Sequence, residues 1–298
     1  MFMIPKISLK DLADNKKSTL NLLSDALSNH GFFVITDHKI PYSLFNEAYK
    51  YSEKFFNLDN LVKTKYSFRE HAGARGYTPF GKETALGETV PDLKEFWHHG
   101  PIVDKTFDKR ILKNIVVSEI DNFNNIFDKL FKEMNSLGSK LLSSISLTLD
   151  LPQDYFEQST KRGNSLLRLI HYPPSNNENM FRAREHADIN LITLLIGANE
   201  PGLEVKDKSG TWIPVSSSYE DIVCNIGDMM QLVTDQKLKS TPHRVVKYKN
   251  DELKSRYSIP FFMHPSPDTI LKSVFNTDDK GVLAHDFLDE RLKAIKLY

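Results

Sequence analysis

EHADINLITLLI, residues 185–196, carries a histidine and an aspartate two positions apart and runs directly into a β-branched, apolar segment. A short apolar run of this kind, closed by Gly197, reads as a buried strand. Working outward, similar runs follow one another after Pro152: residues 166–172, 203–205, 212–215, 222–226, 229–234, 245–246 and 256–263. Turn residues separate them, a texture that predicts a sandwich or barrel of antiparallel strands. The first half reads differently. Leu20, Leu22, Leu23, Ala26 and Leu27 recur at helical spacing over residues 18–29, with Ser18 as the expected N-cap and His30-Gly31 as the stop. Phe32-Phe33-Val34-Ile35 then reads as a strand, residues 42–56 and 116–149 as helices, and residues 287–298 as a last helix. Residues 66–100, broken by Gly73, Gly76, Pro79, Gly81, Gly87 and Pro91, read as a long ordered loop with short extended pieces.

The chemistry gathers around the opening motif. On an extended segment the two-residue period puts His186 and Asp188 on one face, imidazole and carboxylate converging. His243 supplies a third ligand 55 residues after Asp188, where Pro242 forces an extended approach to Val245-Val246. Two imidazoles and one carboxylate on one face of an octahedral ion leave three open positions, which suits Fe(II) with a cosubstrate and dioxygen. Thirteen residues on, Arg256 and Ser258 share a strand face at the mouth of the apolar run Ile259-Pro260-Phe261-Phe262. A planar, permanently charged guanidinium beside a hydroxyl is fitted to hold a carboxylate deep in a barrel. Alternation also puts Arg168, Ile170 and Tyr172 on one face, making Tyr172 a candidate to hydrogen-bond a cosubstrate or substrate. His98, His99 and His171 stand away from ligand spacing and read as satisfied or exposed side chains. Arg75 and Tyr77 read equally as the lining of a substrate entrance and as a structural turn. Asn225-Ile226-Gly227-Asp228 reads as a tight turn between two strands, and Cys224 as a small buried hydrophobe.

Taken in order, HAD (186–188), NIGDMMQLVTD (225–235), KSTPHRV (239–245) and RYS (256–258) resemble the isopenicillin N synthase-like branch of the Fe(II)/2-oxoglutarate-dependent oxygenases. IPKISLKDL near the start, HGFFVITDH at 30–38, ARGYTPFG at 74–81 and DLKEFWHHG at 92–100 are similar to that family's N-terminal region. The resemblance covers roughly residues 4–265 and implies a mixed α and β fold, with a double-stranded β-helix (jelly-roll) core flanked by helices. It implies an N-terminal helix/strand region over residues 1–115 packed on the core. Residues 116–298 would then hold a linking helix, the core at about 162–266 and a C-terminal helix, all in one structural unit. It further implies that His186, Asp188 and His243 ligate Fe(II), that Arg256 and Ser258 bind the distal carboxylate of 2-oxoglutarate, and that O2 is consumed. Ile170 stands where many plant members have Asn, which leans the resemblance toward bacterial members.

The expected activity is oxidation, most simply hydroxylation, of a C–H bond in a small metabolite, amino acid or short peptide, with 2-oxoglutarate converted to succinate and CO2. An oxidase like isopenicillin N synthase, working without the oxo acid, is a second reading, and a non-catalytic metal-binding scaffold is a third. Asp188 occupies the position a halogenase would leave for chloride. The 298 residues balance 39 Lys and Arg against 39 Asp and Glu, which removes the electrostatic basis for a nucleic-acid partner. One cysteine excludes a disulfide scaffold and a zinc ribbon, and points to a reducing cytoplasm. The longest apolar run, residues 191–198, is too short to cross a bilayer, so no membrane partner is expected.

Overall fold

In chain order, a computed structural model, describing residues 4–71, 73–84, 90–174, 181–197, 201–216, 218–247 and 254–295, begins with β1 (Lys6–Ser8), α1 (Leu9–Ala13), α2 (Lys17–Asn29), β2 (Phe32–Thr36), α3 (Tyr42–Phe56) and α4 (Asn60–Thr64). Next come β3 (Gly76–Thr78), β4 (Glu95–His99), the long helix α5 (Phe123–Thr148), the short α6 (Glu157–Thr160) and β5 (Leu166–Tyr172). The rest is mostly strand: β6 (Phe181–His186), β7 (Ile192–Ile196), β8 (Leu203–Lys206), β9 (Trp212–Pro214) and β10 (Ile222–Ile226). After α7 (Asp228–Val233) follow β11 (His243–Val246), β12 (Arg256–Ser258), β13 (Pro260–Met263), β14 (Ile270–Leu271), β15 (Val282–Leu283) and α8 (Ala284–Ala294).

From β5 to β13 the chain passes back and forth between two sheets, with β8 and β9 together in one and β12 and β13 together in the other, the signature of a double-stranded β-helix. A nine-stranded sheet runs β1-β2-β10-β7-β13-β5-β4-β3, with β12 also paired to β5; the second sheet runs β6-β11-β8-β9. The large sheet draws strands from both halves of the chain, because β2 pairs antiparallel with β10 and β4 with β5. Side-chain alternation sorts its two faces. Leu167, Leu169, Leu194, Cys224 and Phe261 point outward into a core shared with α2, α3 and α5. Ile170 and Tyr172 point inward and pack with Ala183 and Val245 of the small sheet and with Leu292 and Ile295 near the end of the chain.

Several local expectations shift. Helix α2 is capped by Lys16, without a side-chain cap, so Ser18 lies inside the first turn. The linking helix begins at Phe123, because Asn122 takes a left-handed conformation (φ 63°) and Asn124 ties the preceding segment through Val117 N and Ile115 O. The run 229–234, read as a strand, is instead helical, with residues 229–233 in α7 and Thr234 as its C-cap. Met229, Met230 and Val233 are buried while Leu232 is 39% exposed, a helical spacing that strand alternation would not produce. The run 256–263 breaks at Ile259 into β12 and β13. The last helix starts three residues earlier than expected, at Ala284, and residues 296–298 lie outside the described part.

Candidate active site

His186 closes β6 and His243 opens β11, and the antiparallel register pairs them directly across the small sheet. Their rings stand 4.4 Å apart between centroids. Asp188 lies two residues beyond the end of β6, so the strand period does not deliver it. Its place is set by two contacts to the large sheet: Oδ2 accepts from Thr193 Oγ1 on β7 (2.6 Å) and from Asn225 Nδ2 on β10 (2.7 Å). Backbone contacts add to this, since the amide of Asp228, opening α7, donates to the Asp188 carbonyl at 2.7 Å. One ligand atom from each of His186, Asp188 and His243 falls within 4.8 Å of the others.

Each imidazole is turned by its second nitrogen. His186 Nδ1 lies 2.7 Å from the Arg184 carbonyl and His243 Nδ1 lies 3.3 Å from the Thr241 carbonyl. Donation to those carbonyls places the proton on Nδ1 and leaves Nε2 as the free lone pair, the tautomer a metal requires. Phe32 meets the His243 ring edge-on at 5.5 Å. Burial and the neighbouring His243 push His186 down to about 4, which keeps it neutral and metal-competent. Burial opposes ionisation of Asp188, but His243, His186 and the Asn225 and Thr193 hydrogen bonds outweigh it and hold the carboxyl below its ordinary value.

Arg256 and Ser258 sit on β12 opposite Tyr172 and Ile170 of β5, and all four line the cavity that contains the triad. That cavity has a volume of about 590 Å³. The Arg256 guanidinium lies over the Tyr172 ring at 5.4 Å and is 2% exposed, yet its Nε and Nη1 have no hydrogen-bond partner among the described residues. Unmade hydrogen bonds on a buried charged group are expensive, so two such donors at a cavity wall fit an anionic ligand. The donor set and these orphaned nitrogens thus suit the iron and dicarboxylate expected from the sequence.

The histidines set aside are engaged elsewhere, although His99 Nδ1 has no partner among the described residues. His171 bridges Glu95 and Ser255, and His99 binds Asp128. His98 contacts the Gly73 carbonyl and Arg168, and lines the cavity. Arg75 also reaches the cavity, whereas Tyr77 turns into the helix-side core and donates to Glu95. Cys224 is fully buried. Asn225, read as a turn residue, proves to be a strand residue that holds Asp188. A polar amide inside the apolar strand Ile-Val-Cys-Asn-Ile was the available signal, since a buried amide needs a partner.

The family model for the 2OG-Fe(II) oxygenase superfamily matches residues 163–265, and that for the N-terminal region of non-haem dioxygenases in morphine synthesis matches residues 4–116. A proline hydroxylase of Petromyces alliaceus, buaE, is 31% identical over 89% of this chain and 87% of its own. Among solved structures, a 2OG-Fe(II) oxygenase family protein from Caulobacter crescentus superposes with a TM-score of 0.86 at 35% identity, covering 98% of this chain and 99% of that one. A full-length Neurospora crassa protein in complex with alpha-KG and thymine superposes at 0.85 with 25% identity, covering 98% and 96%. The chain belongs to the 2OG-Fe(II) oxygenase superfamily. It is a 2-oxoglutarate-dependent dioxygenase, and its cofactors are Fe(II), 2-oxoglutarate and O2.

Proposed function

We propose that this dioxygenase hydroxylates a C–H bond of a small metabolite, amino acid or short peptide, with His186, Asp188 and His243 holding Fe(II). Arg256 and Ser258, with Tyr172 beside them, hold the distal carboxylate of 2-oxoglutarate. The observation that carries this reading is the buried Arg256 guanidinium, two of whose nitrogens have no partner among the described residues, facing the same cavity as the triad. When bound, the metal and cosubstrate supply the oxidising chemistry, with 2-oxoglutarate ending as succinate and CO2. The chain's part is to bind and orient. Two backbone carbonyls fix the imidazole tautomers, Asn225 and Thr193 occupy one carboxylate oxygen of Asp188 and leave Oδ1 for the metal, and Ile170, Val245 and Leu292 wall out water. A small-molecule substrate is supported by the cavity of about 590 Å³ and by the thymine bound to the Neurospora crassa relative. The balanced charge gives no support to a nucleic-acid partner, and no helix among the described residues is long and apolar enough to cross a membrane. The unpaired, buried Cys224 is in keeping with a cytoplasmic setting.

The test is made on the cosubstrate anchor. Arg256→Lys keeps the charge and loses the planar fork, so the KM for 2-oxoglutarate should rise about tenfold with a smaller change for substrate. Anaerobic addition of 2-oxoglutarate to the Fe(II) protein should give a weak visible charge-transfer band that His243→Ala abolishes. Oxygen uptake with substrate alone and no succinate would instead assign Arg256 to a substrate carboxylate, as in an oxidase.

A further inference from the structure

The cavity has a second cationic wall, away from Arg256. Arg168 projects inward from β5, and its guanidinium is gripped on two of its three nitrogens: Nε donates to His98 Nε2 (2.6 Å) and Nη1 to Glu83 Oε1 (3.1 Å). Its carbon lies 4.4 Å from the centre of the Phe96 ring and 5.3 Å from that of Phe262. His98 is itself fixed, because Nδ1 donates to the Gly73 carbonyl at 2.6 Å and leaves Nε2 to accept from Arg168. Burial and the Arg168 charge hold that imidazole well below its ordinary value, so it stays neutral and offsets none of the positive charge. The third nitrogen, Nη2, has no partner among the described residues, on a side chain that lines the cavity. A cation locked in orientation with one donor group left over is built to receive an acceptor.

Charge arithmetic shows which kind. Among the described lining residues, Asp188 goes with the metal and Arg256 with the cosubstrate, Arg291 faces Asp228 at 3.7 Å, and Glu185 faces Lys206 at 2.9 Å. There remain Arg75, Lys94 and Arg168 against Glu83 and Asp92, an excess of at least one cation, since Asp92 is also faced by Arg184 at 3.5 Å. Lys94 is consumed, lying 2.5 Å from Glu83 and 3.0 Å from Asp92. Arg75 spends Nη1 on the Ala74 carbonyl and Nη2 on Asn164, and its Nε, without a partner among the described residues, lies over Gly100, where a Cβ would come within 2.3 Å of it. Arg75 therefore adds charge, and Arg168 offers the contact.

We propose that the substrate carries a carboxylate and that Arg168 binds it through Nη2, which makes Arg168 a specificity-determining residue. This rests on the reading of Arg256 as the 2-oxoglutarate anchor, since otherwise the two cations would compete for one anion. The experiment uses protein loaded with Zn(II), to suppress turnover, and with saturating 2-oxoglutarate, to fill Arg256. Three matched pairs are titrated by ligand-observed NMR: phenylacetate and phenylacetamide, cyclohexanecarboxylate and its carboxamide, L-pipecolate and its carboxamide. At least one carboxylate should bind about tenfold tighter than its amide. Arg168→Met should bring that pair within about twofold while the 2-oxoglutarate affinity stays put, and Arg168→Lys should keep part of the preference. Equal binding within every pair, no binding by any carboxylate at millimolar concentration, or a preference that survives Arg168→Met would each overturn the proposal. Failure of 2-oxoglutarate itself to bind, read in the same samples, would bring down the cosubstrate reading beneath it.

Discussion

Thr193 and Asn225 face each other across β7 and β10, and both donate to Oδ2 of Asp188, which leaves Oδ1 turned toward His243 Nε2 at 3.8 Å. Their role is measurable. Asn225→Ala leaves one oxygen of a buried carboxylate short of a donor and frees the side chain to rotate, so Fe(II) affinity should fall about 10- to 100-fold. Competitive titration against a metal-sensitive dye would measure it, and an affinity within twofold of wild type would show that Thr193 alone suffices. The candidate ligands His186, Asp188 and His243 were legible by residue type and spacing, whereas Thr193 and Asn225 were not, because each sits in an apolar strand and Asn225 reaches Asp188 across 37 residues of sequence. Alternation put Tyr172 on one face with Arg168 and Ile170 without saying which way that face turns, and no local pattern could reveal the Arg256 guanidinium above its ring.

Among the elements, most strands of the barrel were legible as short apolar runs between turn residues, as in β5 and β10, but β6, which carries His186, was missed because Phe181–His186 is largely charged and shows no apolar run. The misreading of residues 229–234 has a physical cause. A six-residue apolar segment offers too little length to separate a period of 3.6 from a period of 2. The error mattered, since α7 grips the segment that follows β6: its first amides donate to the carbonyls of Asp188, Ile189 and Asn190 at 2.7, 3.1 and 3.2 Å. Gly227, at the helix entrance, packs so closely that a Cβ would stand 2.1 Å from the Asn190 carbonyl oxygen. The obstacle is backbone and cannot swing aside, so Gly227→Ala should destabilise the fold by about 1–3 kcal/mol. Denaturant unfolding would read that loss, and Fe(II) affinity should fall with it because Asp188 moves with Asn190.

At the scale of the whole molecule, the buried charges of the cavity wall set a pH window. Burial opposes ionisation of Glu83, but Arg168 and Lys94 outweigh it and hold the carboxyl well below its ordinary value. Its contribution is therefore complete above the unfolded value of about 4.3 and is lost as pH falls below it. His264 acts earlier: burial pushes it down to about 4, against about 6.5 in the unfolded chain, so the unfolded state takes up a proton first. Stability should thus decline between about pH 6.5 and 4 by on the order of 3 kcal/mol from this group. Denaturation midpoints of His264→Leu should show a shallower slope in that window, with the steeper loss below it retained. A last consequence follows from how the site is divided between the sheets. His186 and His243 ride on the four-stranded sheet, Asp188 is held from the nine-stranded one, and Arg256, the proposed anchor, also belongs to the latter. Metal and dicarboxylate are then two stitches across one seam, and the first aligns the cloth for the second. Zn(II) and 2-oxoglutarate added together should raise the melting temperature by more than the sum of their separate effects. Strict additivity would mean that the two sheets were fastened before either ligand arrived.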